Sequence, residues 1–217
     1  MSINREFYME ITKILGEKIA LVAVSKTKTV EDILALYAEG QRDFGENYVQ
    51  ELLDKRAQLP EDIRWHFIGH LQTNKIKQII SFVYLIHGVD SLRLLQEVNR
   101  RAATAGRVVD VLLQVHIGRE ETKFGFETGQ LRKILFMVNS APGEWAHVRI
   151  RGLMGMASNT TDEESVSAEF RQLKVLLDQW FPPGAILSMG MSADYQLAVK
   201  EGSTMVRIGS LLFGERN

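Results

Sequence analysis

Lys26 stands just past an apolar run, IALVAV at residues 19–24. If that run is a strand, alternation by two puts Lys26 on the face of Val22 and Val24. A lysine on a covered face is costly when charged and alone. Burial favours the free amine, the form that condenses with an aldehyde to give a Schiff base. The alternative is a lysine whose apolar stem leaves the rim and keeps its charge in water. Near the other end of the chain, RIGS at 207–210 joins Arg207 to a glycine and a hydroxyl that open a short helical turn. Backbone N–H groups at such a turn suit a phosphate. Gly209 lets oxygens approach the main chain, and Ser210 adds a hydroxyl donor. An ordinary helix cap uses the same residue types. Ser188, in LSMGMS at 187–192, can reach the same phosphate, whereas Ser192 or Asp194 suits the cap of the next helix. Asn47 offers an amide to a ligand or caps the helix it precedes. His70 either touches a ligand ring or sits in solvent.

The elements that position these residues follow from hydrophobic spacing. Phe7, Ile11, Ile14 and Leu15 share one face of a helix over residues 3–16. Strands are expected at 19–24, 42–45, 64–69, 82–89, 108–117, 148–153, 186–189 and 204–208. Helices alternate with them at 30–39, 48–58, from 73, at 92–105, from 128, at 162–180 and 193–201, before a short final turn. The first strand is apolar on both faces, as in a parallel sheet covered on both sides. Regular alternation implies βαβ units with right-handed crossovers. Eight such pairs specify a single (β/α)8 TIM-type barrel with an extra N-terminal helix. An open doubly wound sheet usually carries a glycine-rich loop after its first strand, and SKTK at 25–28 has no glycine. In a barrel, function gathers at the C-terminal strand ends, and all the residues above fall there.

Composition narrows the function classes. The 217 residues carry a formal net charge of -1, which gives no electrostatic reason to expect nucleic acid or an anionic membrane as partner. There are no cysteines. That removes disulfides, thiolate catalysis and cysteine-bound metal, and fits a reducing, cytoplasmic setting. The first eighteen residues are charged throughout and lack the apolar core of a signal peptide. Apolar runs are strand-sized, too short for a membrane span. No linker or low-complexity stretch interrupts the chain, so residues 1–217 read as one domain. No long exposed apolar stripe is evident, and a monomer is expected. His66 and His70 lie on a strand and a loop rather than on one helical face, so they need not converge, and no metal is expected. No Gly-x-Ser-x-Gly elbow supports a nucleophilic triad. The acidic residues at 162–164 read as a helix N-terminus, and those at 120–121 as a solvated loop.

Six strings, in order and at strand ends, resemble one family. They are VAVSKTK at 22–28, FGENYVQE at 44–51, HFIGHLQTNK at 66–75, RGLM at 151–154, LSMGMS at 187–192 and VRIGS at 206–210. The chain resembles the pyridoxal-phosphate homeostasis proteins over almost its whole length. The resemblance implies a barrel like the N-terminal domain of alanine racemase, without that enzyme's second domain. It implies pyridoxal 5'-phosphate on Lys26, phosphate contacts from Ser188, Gly209 and Ser210, Arg207 facing the pyridine nitrogen, and Asn47 near the cofactor. His116 and Gly118 depart from the family pattern, while ETKFG at 121–125, with Lys123, stays close to it.

The family's implied role is to carry pyridoxal phosphate and keep it available, with no firm catalytic activity and no catalytic residues assigned. An arginine at the pyridine nitrogen keeps that nitrogen unprotonated and the ring a poorer electron sink. One alternative is a racemase-like enzyme, which needs a second acid/base opposite the lysine. Tyr48 and His70 are the available substitutes. Another is a barrel for some different phosphorylated metabolite, with Lys26 and Arg207 as charge partners.

Overall fold

The computed structural model describes residues 3–119 and 124–214. Eight parallel strands close into a barrel in chain order. They are β1 Ala20–Val24, β2 Asp43–Glu46, β3 Arg64–Phe67, β4 Leu85–Val89, β5 Val109–Gln114, β6 Val148–Met154, β7 Ile186–Met191 and β8 Met205–Ile208. Helix α1, Arg5–Leu15, precedes the barrel. The others are α2 Val30–Ala38, α3 Val49–Arg56, α4 Ile76–Ile79, α5 Leu92–Thr104, α6 Thr128–Ser140, α7 Glu163–Trp180, α8 Tyr195–Lys200 and α9 Ser210–Phe213. Closure pairs β1 with β8, with Val22 opposite Arg207. The two ends of the chain thereby supply adjacent strands of one rim.

Local signals set the helix starts. Asn4, Ser91 and Asp162 each accept a backbone N–H at the starts of α1, α5 and α7. Thr29 and Asp32 form a reciprocal capping box at the start of α2. Such caps satisfy donors that a helix leaves unpaired. Among the described residues no helix is long and apolar enough to cross a membrane.

Apolar residues divide into two clusters because each strand has an inner and an outer face. Most of the core lies between sheet and helices, including Phe44, Phe67, Leu113, Phe170 and Leu187. A smaller cluster, Val22, Leu85, Leu112, Met154 and Met205, fills the barrel interior. Alternation by two sends those side chains inward.

Several strand limits differ from the spacing. Residues 82–84 do not begin β4, because the N–H groups of Phe82 and Val83 turn back onto the Ile79 carbonyl of α4. β5 stops at Gln114 rather than 117. Beyond it, Val115 bridges to Phe126, and Phe126 N–H donates to the Gln114 carbonyl. β7 runs on to Met191 with a register shift against β8: Ser188 pairs with Met205 but Met191 with Arg207. One extra residue sits on β7 there. Gly190, at φ 95°, takes the left-handed conformation this bulge requires.

Candidate functional site

The turn after β1 is held from below. Lys28 N–H donates to the Ser25 carbonyl, closing a tight turn, and Thr27 takes a φ of 63°. It is the one non-glycine residue with positive φ among those described. Backbone strain of this kind persists only where the surroundings impose it. Here they do. Thr27 N–H donates to Glu51, and Lys55 Nζ lies 2.6 Å from the Ser25 carbonyl. The same ammonium is 2.7 Å from Glu46 Oε1 and 2.6 Å from Glu51 Oε1. Ser25 Oγ donates to Glu46 across 2.7 Å. Burial pushes the Glu46 carboxyl upward, against the pull of Lys55 and Ser25. This clamp, from β2 and α3, sets the direction in which Lys26 leaves the strand.

Lys26 lines a cavity of about 330 Å³ at the C-terminal rim, with Asn47, Arg207, Gly209 and Ser210. That volume lies at the small end of ligand pockets, which span about 300–1,000 Å³. Val24, Ile68, Met156 and Met191 give it apolar walls. Lys28 also lines it, but its ammonium lies 3.1 Å and 3.0 Å from the carbonyl oxygens of Phe213 and Gly214. Asn47 Oδ1 is buried without a hydrogen-bond partner. An unmet buried acceptor is costly unless a ligand or water meets it. Asn47 does not cap the helix it precedes: Tyr48 holds that position and makes no side-chain cap.

Arg207 is 3% exposed. Its Nη1 contacts the Ser188 carbonyl and hydroxyl at 2.9 Å and 2.6 Å, and Nη2 the Gly155 carbonyl at 3.2 Å. All three acceptors are neutral. Burial lowers its pKa to about 10, with Asp194 pulling the other way, so the guanidinium stays charged at neutral pH. At the next turn, Gly209 N–H donates to Ser192 Oγ across 3.2 Å. The N–H groups of Leu212 and Phe213 both return to the Gly209 carbonyl. The first turn of α9 thus opens toward the cavity beside two hydroxyls, Ser192 and Ser210.

Lys26, Asn47, Arg207, Gly209 and Ser210 therefore converge on one cavity, and Ser188 and His70 do not line it. Ser188 is fully buried, with its hydroxyl between Arg207 and His87 Nδ1, 3.0 Å away. The bulge at Gly190 brings Ser192, expected as a cap, to the cavity in its place. His70 stacks on Phe124 with ring centroids 4.1 Å apart and pairs with Asp90 at 2.8 Å. Lys123 lies outside the described residues. The sequence reading missed the clamp of Ser25, Glu46, Glu51 and Lys55. A visible signal for it was the i,i+4 pairing of Glu51 with Lys55.

The geometry can be set beside known proteins. Residues 8–217 match the family model described as alanine racemase, N-terminal domain. A pyridoxal phosphate homeostasis protein of Aquifex aeolicus is 42% identical over 207 residues, which cover 93% of this chain and 89% of that protein. The chain belongs to the pyridoxal phosphate homeostasis protein family. The homologue of that name in Vibrio alginolyticus is 38% identical over 209 residues, or 93% of this chain and 88% of its own length. PipY of Synechococcus elongatus, solved with pyridoxal phosphate bound, superposes with a TM-score of 0.85 at 35% identity, covering 96% of this chain and 99% of PipY. An alanine racemase of Clostridium difficile gives a TM-score of 0.79 at 18% identity, over 99% of this chain but 58% of the racemase. That likeness concerns the fold alone.

Proposed function

We propose that this chain binds pyridoxal 5'-phosphate, holds it on Lys26 as a Schiff base, and serves pyridoxal phosphate homeostasis without catalysing a reaction of its own. The observation that carries the reading is the convergence on one small cavity of Lys26, the unmet Asn47 oxygen and a buried arginine beside a helix start with two hydroxyls. PipY, a relative over nearly its full length, was solved with this cofactor bound. Pyridoxal phosphate supplies an aldehyde that condenses with a primary amine and a ring that can accept electrons. Gly209, Ser210 and Ser192 would hold the phosphate on backbone and hydroxyl donors. Ser188 would support the ring-nitrogen end from beneath, through Arg207, instead of meeting the phosphate.

Arg207 would face the ring nitrogen. It has N–H groups to donate and none of the acceptor capacity a protonated ring nitrogen needs. The ring nitrogen then stays unprotonated and carbanion chemistry is weakly assisted. Racemisation also requires an acid/base opposite the lysine. Among the described residues lining the cavity there is no carboxylate, imidazole or phenol. Tyr48 is 60% exposed and His70 is engaged with Phe124 and Asp90. We read residues 1–217 as one domain, acting as a cytoplasmic monomer with the cofactor as its small-molecule partner.

The test is a visible absorption spectrum after adding pyridoxal phosphate, then borohydride reduction and peptide mass spectrometry. The expected result is a new band and a label on Lys26, lost in Lys26→Ala. A label confined to Lys28 overturns the lysine assignment. No band, with binding of sugar phosphates instead, overturns the cofactor. Exchange of the alanine α-proton above that given by free cofactor, and lost in Lys26→Ala, overturns the non-catalytic reading.

A further inference from the structure

A file of polar side chains crosses the barrel interior, away from the rim. It begins at Asp43, at the start of β2 with its side chain 17% exposed. Asp43 Oδ1 lies 2.9 Å from His66 Nε2 on β3. His66 Nδ1 lies 2.9 Å from His87 Nε2 on β4. His87 Nδ1 lies 3.0 Å from Ser188 Oγ on β7, and Ser188 Oγ lies 2.6 Å from Arg207 Nη1 on β8. His66, His87 and Ser188 are completely buried. Of the five, only Arg207 lines the cavity. Polar groups in such an interior are costly unless every one is satisfied, and here the ends of the file decide how that happens.

Arg207 can only donate. Burial pushes the Asp43 carboxyl up, but hydrogen bonds and charge from Arg64 and His66 outweigh it and hold the group at about 2, so it only accepts. His66 must therefore give its Nε2–H to Asp43 and accept at Nδ1 from His87 Nε2–H. His87 accepts at Nδ1 from Ser188 Oγ–H, and Ser188 accepts from Arg207. Every bond has one donor and one acceptor, and both imidazoles are neutral. Burial first, then the electrostatics of the adjoining His66 and Arg207 side chains, drives the His87 pKa well below its ordinary value, consistent with a neutral ring.

We infer that Asp43 is the remote counter-charge of Arg207, relayed through His66, His87 and Ser188, and that these four are positioning residues for the guanidinium. The inference rests on the reading that Arg207 faces the ring nitrogen of bound pyridoxal phosphate. Hydrogen bonds in series polarise one another. A carboxylate at one end raises electron density at Ser188 Oγ, the atom facing Arg207 Nη1. That fixes the direction of the guanidinium and tempers the charge it presents to the cavity. The other charged or titratable groups facing the file are Arg64 on Asp43, Tyr84 with its ring 5.3 Å from that of His66, and Asp194, which acts on Arg207 through space.

The experiment compares wild type, Asp43→Asn, Asp43→Glu and His87→Gln. In cofactor-free protein, long-range proton–nitrogen correlation spectra should show His66 and His87 protonated at Nε2 alone. The Arg207 side-chain nitrogen resonances should move in Asp43→Asn and return in Asp43→Glu. With pyridoxal phosphate bound, the pH midpoint of the visible band should fall in Asp43→Asn and His87→Gln, because a less compensated cation disfavours a proton on the adduct. Asp43→Glu should keep the wild-type midpoint. Unmoved Arg207 resonances in Asp43→Asn overturn the inference whether or not the cofactor binds, and so does a midpoint common to all four proteins. A lowered Tm alone marks a purely structural file and overturns it too. A wild type with no band counts instead against the cofactor reading, and the Arg207 resonances still decide this one. If His87→Gln does not fold, the two Asp43 variants, at the partly exposed end of the file, carry both readouts.

Discussion

Gly69 runs so close to Asn47 that a Cβ built on it would lie 2.4 Å from the Asn47 carbonyl oxygen and 2.8 Å from its Cα. Gly88 backs Gly69 in turn, since a Cβ there would lie 2.7 Å from the Gly69 carbonyl oxygen. Three backbones, following β2 and β3 and within β4, are stacked without side chains between them. Asn47 owes its place on the cavity to that contact.

Gly69→Ala should therefore weaken cofactor binding without touching the cavity. Forcing a methyl against fixed backbone costs about 1–3 kcal/mol of stability. Equilibrium binding of pyridoxal phosphate, read by absorbance beside a urea melt, checks it. Affinity equal to wild type in a folded variant would show that Asn47 is not placed by this contact.

Lys55→Met should be among the most damaging single changes. It leaves the buried Glu46 carboxylate without its counter-ion, a loss of roughly 3–5 kcal/mol. Adding Glu46→Gln should recover a large part of this, since both charges are then gone. Chemical denaturation of the single and double variants measures the coupling. Additive losses would contradict the clamp.

Stability should fall in two stages on acidification. His87 is depressed below 6.5 in the folded chain, so the unfolded chain binds the extra proton. The contribution is whole above about 6.5 and fades as pH drops through that value. Asp43, held at about 2 against 3.8, adds about 2 kcal/mol that is whole above 3.8 and lost toward 2. Glu46, raised by burial, works in the opposite sense as pH rises above 4.5. His87→Gln should flatten the upper stage alone. Urea melts at a series of pH values decide it, and an unchanged upper stage in that variant sinks the assignment.

Ser210→Ala and Ser192→Ala should each lower affinity for pyridoxal phosphate by roughly tenfold to a hundredfold, the worth of one hydrogen bond to a charged group. Ser188→Ala should act differently. It unseats Arg207, so its main effect is on the absorption band and not on affinity for inorganic phosphate. Titrations with both ligands separate the two. Equal loss for phosphate in all three would return Ser188 to the phosphate end.

Periodicity along the chain carried the architecture. Alternating strands and helices are local patterns, and strands with both faces apolar admit few arrangements besides a closed parallel barrel. Lys26 and Arg207 were legible because a lysine and an arginine at the ends of apolar strands need a reason to be there. The limits of β4 and β5 were not, because hydrogen bonds to the Ile79 carbonyl and from Phe126 N–H decide them.

What this sequence determined alone was the order of elements and the rim on which chemistry gathers. Tertiary structure decided which residues meet. The bulge at Gly190 shifts β7 by one residue against β8 and brings Ser192 to the cavity, while Ser188, before the bulge, lies buried in the interior. The file from Asp43 to Arg207 draws on five strands spread over most of the chain. Its members have no spacing in common, because register and closure are set by pairing between distant segments, and no local pattern encodes which inward side chains will face one another across a barrel.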